Sequence, residues 1–204
     1  MSSVRFYFDV VCPYAFLGST QLDALTQATG ASIVLRPILL GGLFRQIGQV
    51  DDPNQLMPPA KVAHGRRDLA RWAHRYGVPL RMPSAHPRRS VLAMRVLHAA
   101  SEPERVRAMH AIFAAYWIAG LDIADGVVLA RGLEEAGLDG ERLVASADSA
   151  EARAALRACT DEAAAAGVFG VPSFVIGEGS GAELFWGQDR LAWVRDRLRS
   201  PLRA

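Results

Sequence analysis

The sequence predicts an α/β fold split by helices: a β-α-β unit opens the chain, a β-β-α unit closes it, and an all-helical stretch separates them. Three observations predict it. Residues 4–11 and 31–40 are rich in aromatic and β-branched side chains without a helical period, and a helical stripe lies between them. Strand texture disappears after Gly41-Gly42 and returns only at Val171. A glycine-rich turn, Gly177-Glu178-Gly179-Ser180-Gly181, then joins two short apolar runs at hairpin spacing.

Val4 to Val11 reads as a mostly buried first strand. Cys12-Pro13 follows at once, and proline suits a first helical turn, where its missing N–H has no partner to lose. Phe16, Leu17, Leu22, Leu25 and Thr26 fall on one helical stripe, which Gly30 ends. Ala31 to Leu40 is the second strand, with Pro37 marking its end or a sheet edge. A normal crossover makes the two strands parallel.

Helical patterns then cover Lys61–Tyr76, Ser90–Ala100, Pro103–Ala119, Gly126–Ala136 and Ser149–Ala166. Ser101 with Glu104 forms a capping box, Asp125 and Ser149 are placed to cap, and Gly137 and Gly167 mark ends. Val171–Gly177 and Ala182–Trp186 are strands, and Gln188–Leu198 is an amphipathic helix with Leu191, Val194 and Leu198 on one face. This order is that of a thioredoxin-like fold with a large all-helical insertion. The expected boundaries are 1–42 and 167–204 for the thioredoxin-like domain and 43–166 for the inserted helical domain.

The chain has 204 residues, half of them hydrophobic, enough for a substantial core. Its 23 basic and 21 acidic residues leave a net charge of +2, too small for a general field gripping nucleic acid or anionic lipid. Neither nucleic acid nor membrane is expected as a partner. No secretory signal or membrane-spanning run is legible. Two cysteines, Cys12 and Cys159, exclude a disulfide framework and a cysteine-based zinc site, so a cytoplasmic location is expected. The five histidines lack ligand spacing, so no metal site is expected.

Cys12 is the leading candidate for chemistry. A cysteine where a strand meets a helix faces unpaired N–H groups and the positive end of a helix dipole, which predicts a lowered thiol pKa. The motif Cys12-Pro13-Tyr14-Ala15 has alanine where a resolving cysteine would stand, so it cannot form an internal disulfide. Cys159 lies on a stripe with Ala152, Leu156, Ala163 and Ala166 and is expected in the core. Val171-Pro172 opens the third strand; in this layout the proline lies against the cysteine's helix, with its isomer open from sequence. Gln188 and Asp189 open the last helix, where they receive an amine or carboxylate, or Asp189 simply caps. Arg88-Arg89 is a candidate carboxylate clamp, and Trp117, read first as packing, a candidate wall of an apolar pocket.

Five ordered pieces carry a resemblance: Phe6-Tyr7-Phe8-Asp9; Lys61 with Asp68-Leu69 and Arg71-Trp72-Ala73; Tyr76-Gly77-Val78-Pro79-Leu80; Val168-Phe169-Gly170-Val171-Pro172; and Phe185-Trp186-Gly187-Gln188-Asp189-Arg190-Leu191. The chain resembles the 2-hydroxychromene-2-carboxylate isomerase family, relatives of kappa-class glutathione transferases within the DsbA-like thioredoxin superfamily. The resemblance implies glutathione as cofactor, a homodimer, and a small-molecule substrate from aromatic compound catabolism. It implies that Val171 and Pro172 meet the cysteinyl part of glutathione. Gln188 and Asp189 would hold the γ-glutamyl end, Lys61 the glycine carboxylate, and Asn54 falls near a family asparagine. Arg88-Arg89 matches a paired arginine beside the insertion's pocket, and Tyr14, Arg88, Arg89 and Trp117 are the candidate substrate contacts. One departure stands out: Cys12 occupies a position where the family usually carries serine. The implied activity is glutathione-dependent isomerisation through a glutathione adduct. The alternatives are a monothiol thiol–disulfide oxidoreductase or a kappa-type transferase using Cys12, and, from another class, a non-catalytic glutathione or peptide binder.

Overall fold

The computed structural model describes residues 2–50 and 57–200. Four strands form one sheet: β1 (Ser3–Phe8), β2 (Ser32–Pro37), β3 (Ser173–Ile176) and β4 (Glu183–Trp186), in the order β2-β1-β3-β4. β1 and β2 are parallel, with Phe6 opposite Leu35, as the crossover rule requires. β3 runs antiparallel to both β1 and β4, and Phe174 sits between Phe6 and Phe185.

Side-chain alternation divides β1 between two faces. Val4, Phe6 and Phe8 enter the larger core with Phe174, while Tyr7 joins Ile38, Cys159 and Val175 on the opposite side. Phe6 stacks on Phe8 at 5.1 Å between centroids, and Phe8 lies 5.8 Å from Phe113. Phe113 belongs to the insertion, so the sheet and the inserted helices share one apolar cluster.

The five helices expected between residues 61 and 166 are present as α4 (Pro59–Tyr76), α5 (Val91–Ala99), α6 (Glu102–Trp117), α7 (Gly126–Glu135) and α9 (Ala150–Ala165), each within two residues of its expected ends. The Ser101–Glu104 capping box forms, Asp125 accepts from the N–H groups of Val127 and Val128, and Ser149 accepts from Ala152. Two short helices escaped the sequence pattern: α3 (Leu40–Gln46), whose Gly41-Gly42 looks like a break, and α8 (Gly140–Ser146), capped by Asp139. The single helix expected after Cys12 is two, α1 (Pro13–Ser19) and α2 (Leu22–Thr29). At the joint, Ser19 and Thr20 hydroxyls each donate 2.7 Å bonds to carbonyls three residues back, a geometry that competes with helix continuation. The last helix opens with a 3₁₀ turn, Gln188–Arg190, before α10 (Leu191–Arg199).

The first strand also ends earlier than its apolar texture suggests. Beyond Phe8 the chain turns, with the Cys12 N–H bonded to the Asp9 carbonyl at 3.0 Å. That turn delivers Cys12 to the start of α1. Among the described residues, no helix is long and apolar enough to cross a membrane.

Candidate active site

Cys12 is the N-cap of α1, with extended backbone, and Pro13 occupies the first turn. Its thiol donates to the Val171 carbonyl at 3.1 Å. The Val171-Pro172 bond is cis. Gly18, on α1, faces this loop: a β-carbon there would meet Gln188 at 3.5 Å, Pro172 at 3.6 Å and Phe6 at 3.7 Å, ordinary contact distances. The Gly187 N–H donates to the Pro172 carbonyl at 2.9 Å, which ties the 187–190 turn to the proline loop.

The sequence predicts a lowered pKa for Cys12; the structure reverses the sign. Burial pushes the thiol up to about 12, the Asp9 charge adds to the rise, and the N–H groups of Ala15 and Tyr14 offset only part of it. A two-turn helix has a small dipole field, whereas desolvation acts on the whole sulfur. At neutral pH Cys12 is therefore a thiol and a hydrogen-bond donor. Cys159 is buried, as expected, and burial also pushes its thiol up to about 12.

Around the sulfur the sequence candidates converge in part. Tyr14 is half-buried, and burial holds its hydroxyl above the usual range, with smaller contributions from the charges of Asp68, Cys12 and Asp189. Tyr14 packs against the cluster of Leu17, Leu69 and Ala73, between α1 and α4. Gln188 is buried, and its carbonyl accepts from Tyr76 of α4 at 3.3 Å. Asp189 is more open, and its carboxylate lies 3.5 Å from Arg190 rather than capping α10. Lys61 is exposed on the first turn of α4, two turns or about 10 Å before Asp68. Asn54 lies outside the described residues.

Arg88 and Arg89 are both exposed, and Arg88 pairs with Asp122 at 3.2 Å. Trp117 follows its first reading, as packing, rather than that of a pocket wall. It is fully buried, and its indole N–H donates 2.8 Å to the Val10 carbonyl, so it props the turn before Cys12 from inside. The end of α6 dives into the core, which helical periodicity alone does not reveal.

Two further residues brace the site. Asp9, 1% exposed, accepts from Val11 N–H, Leu40 N–H and the Ser90 hydroxyl. Its signal was present: one acid interrupts the apolar run Val4–Val11. Tyr76 opens one of the five quoted pieces, but spacing along the chain does not reveal that its hydroxyl reaches a residue 112 positions away. Among the described residues, no group of three or more His, Cys, Asp or Glu side chains is placed to hold a metal ion.

A four-stranded sheet with inserted helices, and a lone thiol at a helix start facing a cis-proline loop, define a thioredoxin-superfamily thiol site. The chain belongs to the DSBA-like thioredoxin domain family, whose profile matches residues 3–199. It is 29% identical to the 2-hydroxychromene-2-carboxylate isomerase of Sphingobium xenophagum, covering 96% of this chain and 97% of that protein. It is 30% identical to glutathione S-transferase kappa 2 of Caenorhabditis elegans, covering 98% and 93%. A solved 2-hydroxychromene-2-carboxylate isomerase structure superposes with a TM-score of 0.83 at 28% identity, over 96% of this chain and 94% of that one. The chain is an enzyme of this isomerase and transferase group.

Proposed function

We propose that the protein is a glutathione-dependent isomerase of the 2-hydroxychromene-2-carboxylate type, acting in the cytoplasm as a homodimer on an unsaturated, aromatic-derived carboxylate. The observation that carries this reading is the state of Cys12: a lone, protonated thiol donating to the Val171 carbonyl. Such a group orients a neighbouring sulfur; it is a poor nucleophile itself.

The residues present suit the tripeptide by charge. Asp189 offers a carboxylate to its ammonium, exposed Lys61 a cation to its glycine carboxylate, and the Val171 backbone lies beside Cys12. When bound, glutathione would supply a thiolate sulfur for reversible addition to a conjugated carbon, chemistry that involves no net redox change. Cys12, a hydrogen-bond donor at this position, would hold that sulfur by donating to it. Tyr14, kept protonated by burial, donates to the substrate oxygen on which charge builds. Arg88 and Arg89 hold the substrate carboxylate.

Calorimetric titration with glutathione and a spectrophotometric assay with 2-hydroxychromene-2-carboxylate test the proposal. Saturable binding and glutathione-dependent conversion are expected, and Cys12→Ser keeps or improves both. Failure of glutathione to bind removes the basis of the proposal. Loss of turnover in Cys12→Ser, with activity on glutathione mixed disulfides in the parent, establishes the monothiol oxidoreductase instead.

A further inference from the structure

Asp9 is an expensive residue for a fold to keep. A carboxylate 1% exposed is stripped of water, which costs several kcal/mol unless protein groups replace the solvent. Here they do, and from three separate segments. Its Oδ1 accepts from the Val11 N–H at 3.2 Å, in the turn leading to Cys12. Its Oδ2 accepts from the Leu40 N–H at 2.9 Å, at the start of α3, and from the Ser90 hydroxyl at 3.1 Å. Ser90, itself buried, directly follows Arg88-Arg89 and precedes α5.

The other end of the arginine segment is fastened too. Tyr116 receives the Arg88 N–H and contacts His86 Nδ1, both at 3.0 Å. Its neighbour Trp117 bonds Val10. Both fastenings thus lead back to the Asp9-Val10-Val11 turn that carries Cys12. Between them Arg88 leans on Asp122, while Arg89 pairs with no carboxylate among the described residues.

We propose that Asp9 is a positioning residue for the substrate: by gripping Ser90, it sets the distance and direction of the Arg88–Arg89 segment relative to Cys12, and so the carboxylate subsite. The proposal rests on the isomerase reading for the identity of the substrate, but its geometry concerns any small aromatic carboxylate. A purely structural clasp would join the same three segments and leave ligand charge irrelevant.

Ser90→Ala removes the grip without touching Cys12 or either arginine. The probes are 2-hydroxybenzoate and its uncharged amide, titrated against tryptophan fluorescence with and without saturating glutathione. Ser90→Ala is expected to weaken the carboxylate about tenfold, the worth of roughly one hydrogen bond to a charged group. It leaves the amide and glutathione unchanged, and Ser90→Thr restores the parent value. In turnover the same variant raises KM for 2-hydroxychromene-2-carboxylate by a similar factor with kcat within about twofold. Equal weakening of acid and amide, or no preference for the acid in the parent, overturns the proposal. If Ser90→Ala does not fold, Arg89→Ala must show the same acid-selective loss, and its absence overturns the proposal as well. A parent that fails to bind glutathione sinks the isomerase reading, and the two benzoate probes still decide the role of Asp9.

Discussion

Asp9 and Cys12 sit three residues apart, and burial raises the pKa of both, for Cys12 against the lowering that its place at a helix start predicts. Burial raises Asp9 to about 6, against hydrogen bonds from Leu40, Val11 and Ser90 that lower it. The folded chain therefore holds a proton that the unfolded chain releases near the ordinary aspartate value of about 3.9. The stabilisation from this proton is full below about pH 4 and is lost as pH rises through 6, a swing of about 3 kcal/mol. Between pH 5 and pH 7.5 the unfolding free energy is expected to drop by about 1.4 kcal/mol on this account. Asp9→Asn, which keeps an oxygen for the Leu40 N–H, abolishes that part of the slope. Urea titrations at the two pH values check it, and equal slopes in both proteins refute it. Cys12 gives a second residue-level test. With its thiol near 12, peptide-resolved alkylation by iodoacetamide should accelerate about tenfold per pH unit from 7 to 10. A plateau below pH 9 would mean a thiolate-stabilising site after all.

At the scale of elements, periodicity and caps were legible and close approaches were not. The helices α4 to α7 and α9 are legible through apolar stripes, and α6, α7 and α9 also through polar caps, because both signals are local. Asp125, which accepts from two N–H groups, is a strong cap. Its replacement by Ala is expected to cost about 1 kcal/mol and to lower Tm by about 3 °C in a thermal melt. Gly140 teaches the opposite lesson. Its local sequence shows no sign of a close approach, yet a β-carbon there would lie 2.1 Å from the Ala130 carbonyl oxygen. Backbone cannot yield as a side-chain tip does. Gly140→Ala is therefore expected to cost about 2 kcal/mol or more, a larger loss of Tm than the missing cap. A neutral result would contradict the packing of α7 on α8. Gly41-Gly42 misled in the other direction, since tertiary contacts hold α3 helical through two poor helix formers. Gly42 lies close to Thr160 and Leu39.

For the whole molecule, the sequence division into residues 1–42 with 167–204 and an insertion at 43–166 describes the order of elements. One apolar cluster crosses that division. Phe113, from the insertion, lies 5.8 Å from Phe8 of the strand and 5.7 Å from Phe16 of α1. We propose that the two parts unfold as one unit. Far-ultraviolet circular dichroism, reporting mostly the helices, and tryptophan fluorescence should give coincident denaturation curves. Phe113→Ala should shift both together by about 3–5 kcal/mol. Two separated transitions would restore an independent helical domain.

The amino-acid sequence by itself determined the β-α-β and β-β-α order, the helical insertion, the core position of Cys159 and the lone cysteine at the start of α1. Each of these is written in spacing along the chain, where neighbours in sequence are neighbours in space. Tertiary structure alone decided that Trp117 is a buried prop for Val10, that Asp9 reaches Ser90 across 81 positions, and that Cys12 stays protonated. Burial and long-range hydrogen bonds depend on which distant segments surround a group, and desolvation there outweighs the local dipole that the sequence could offer.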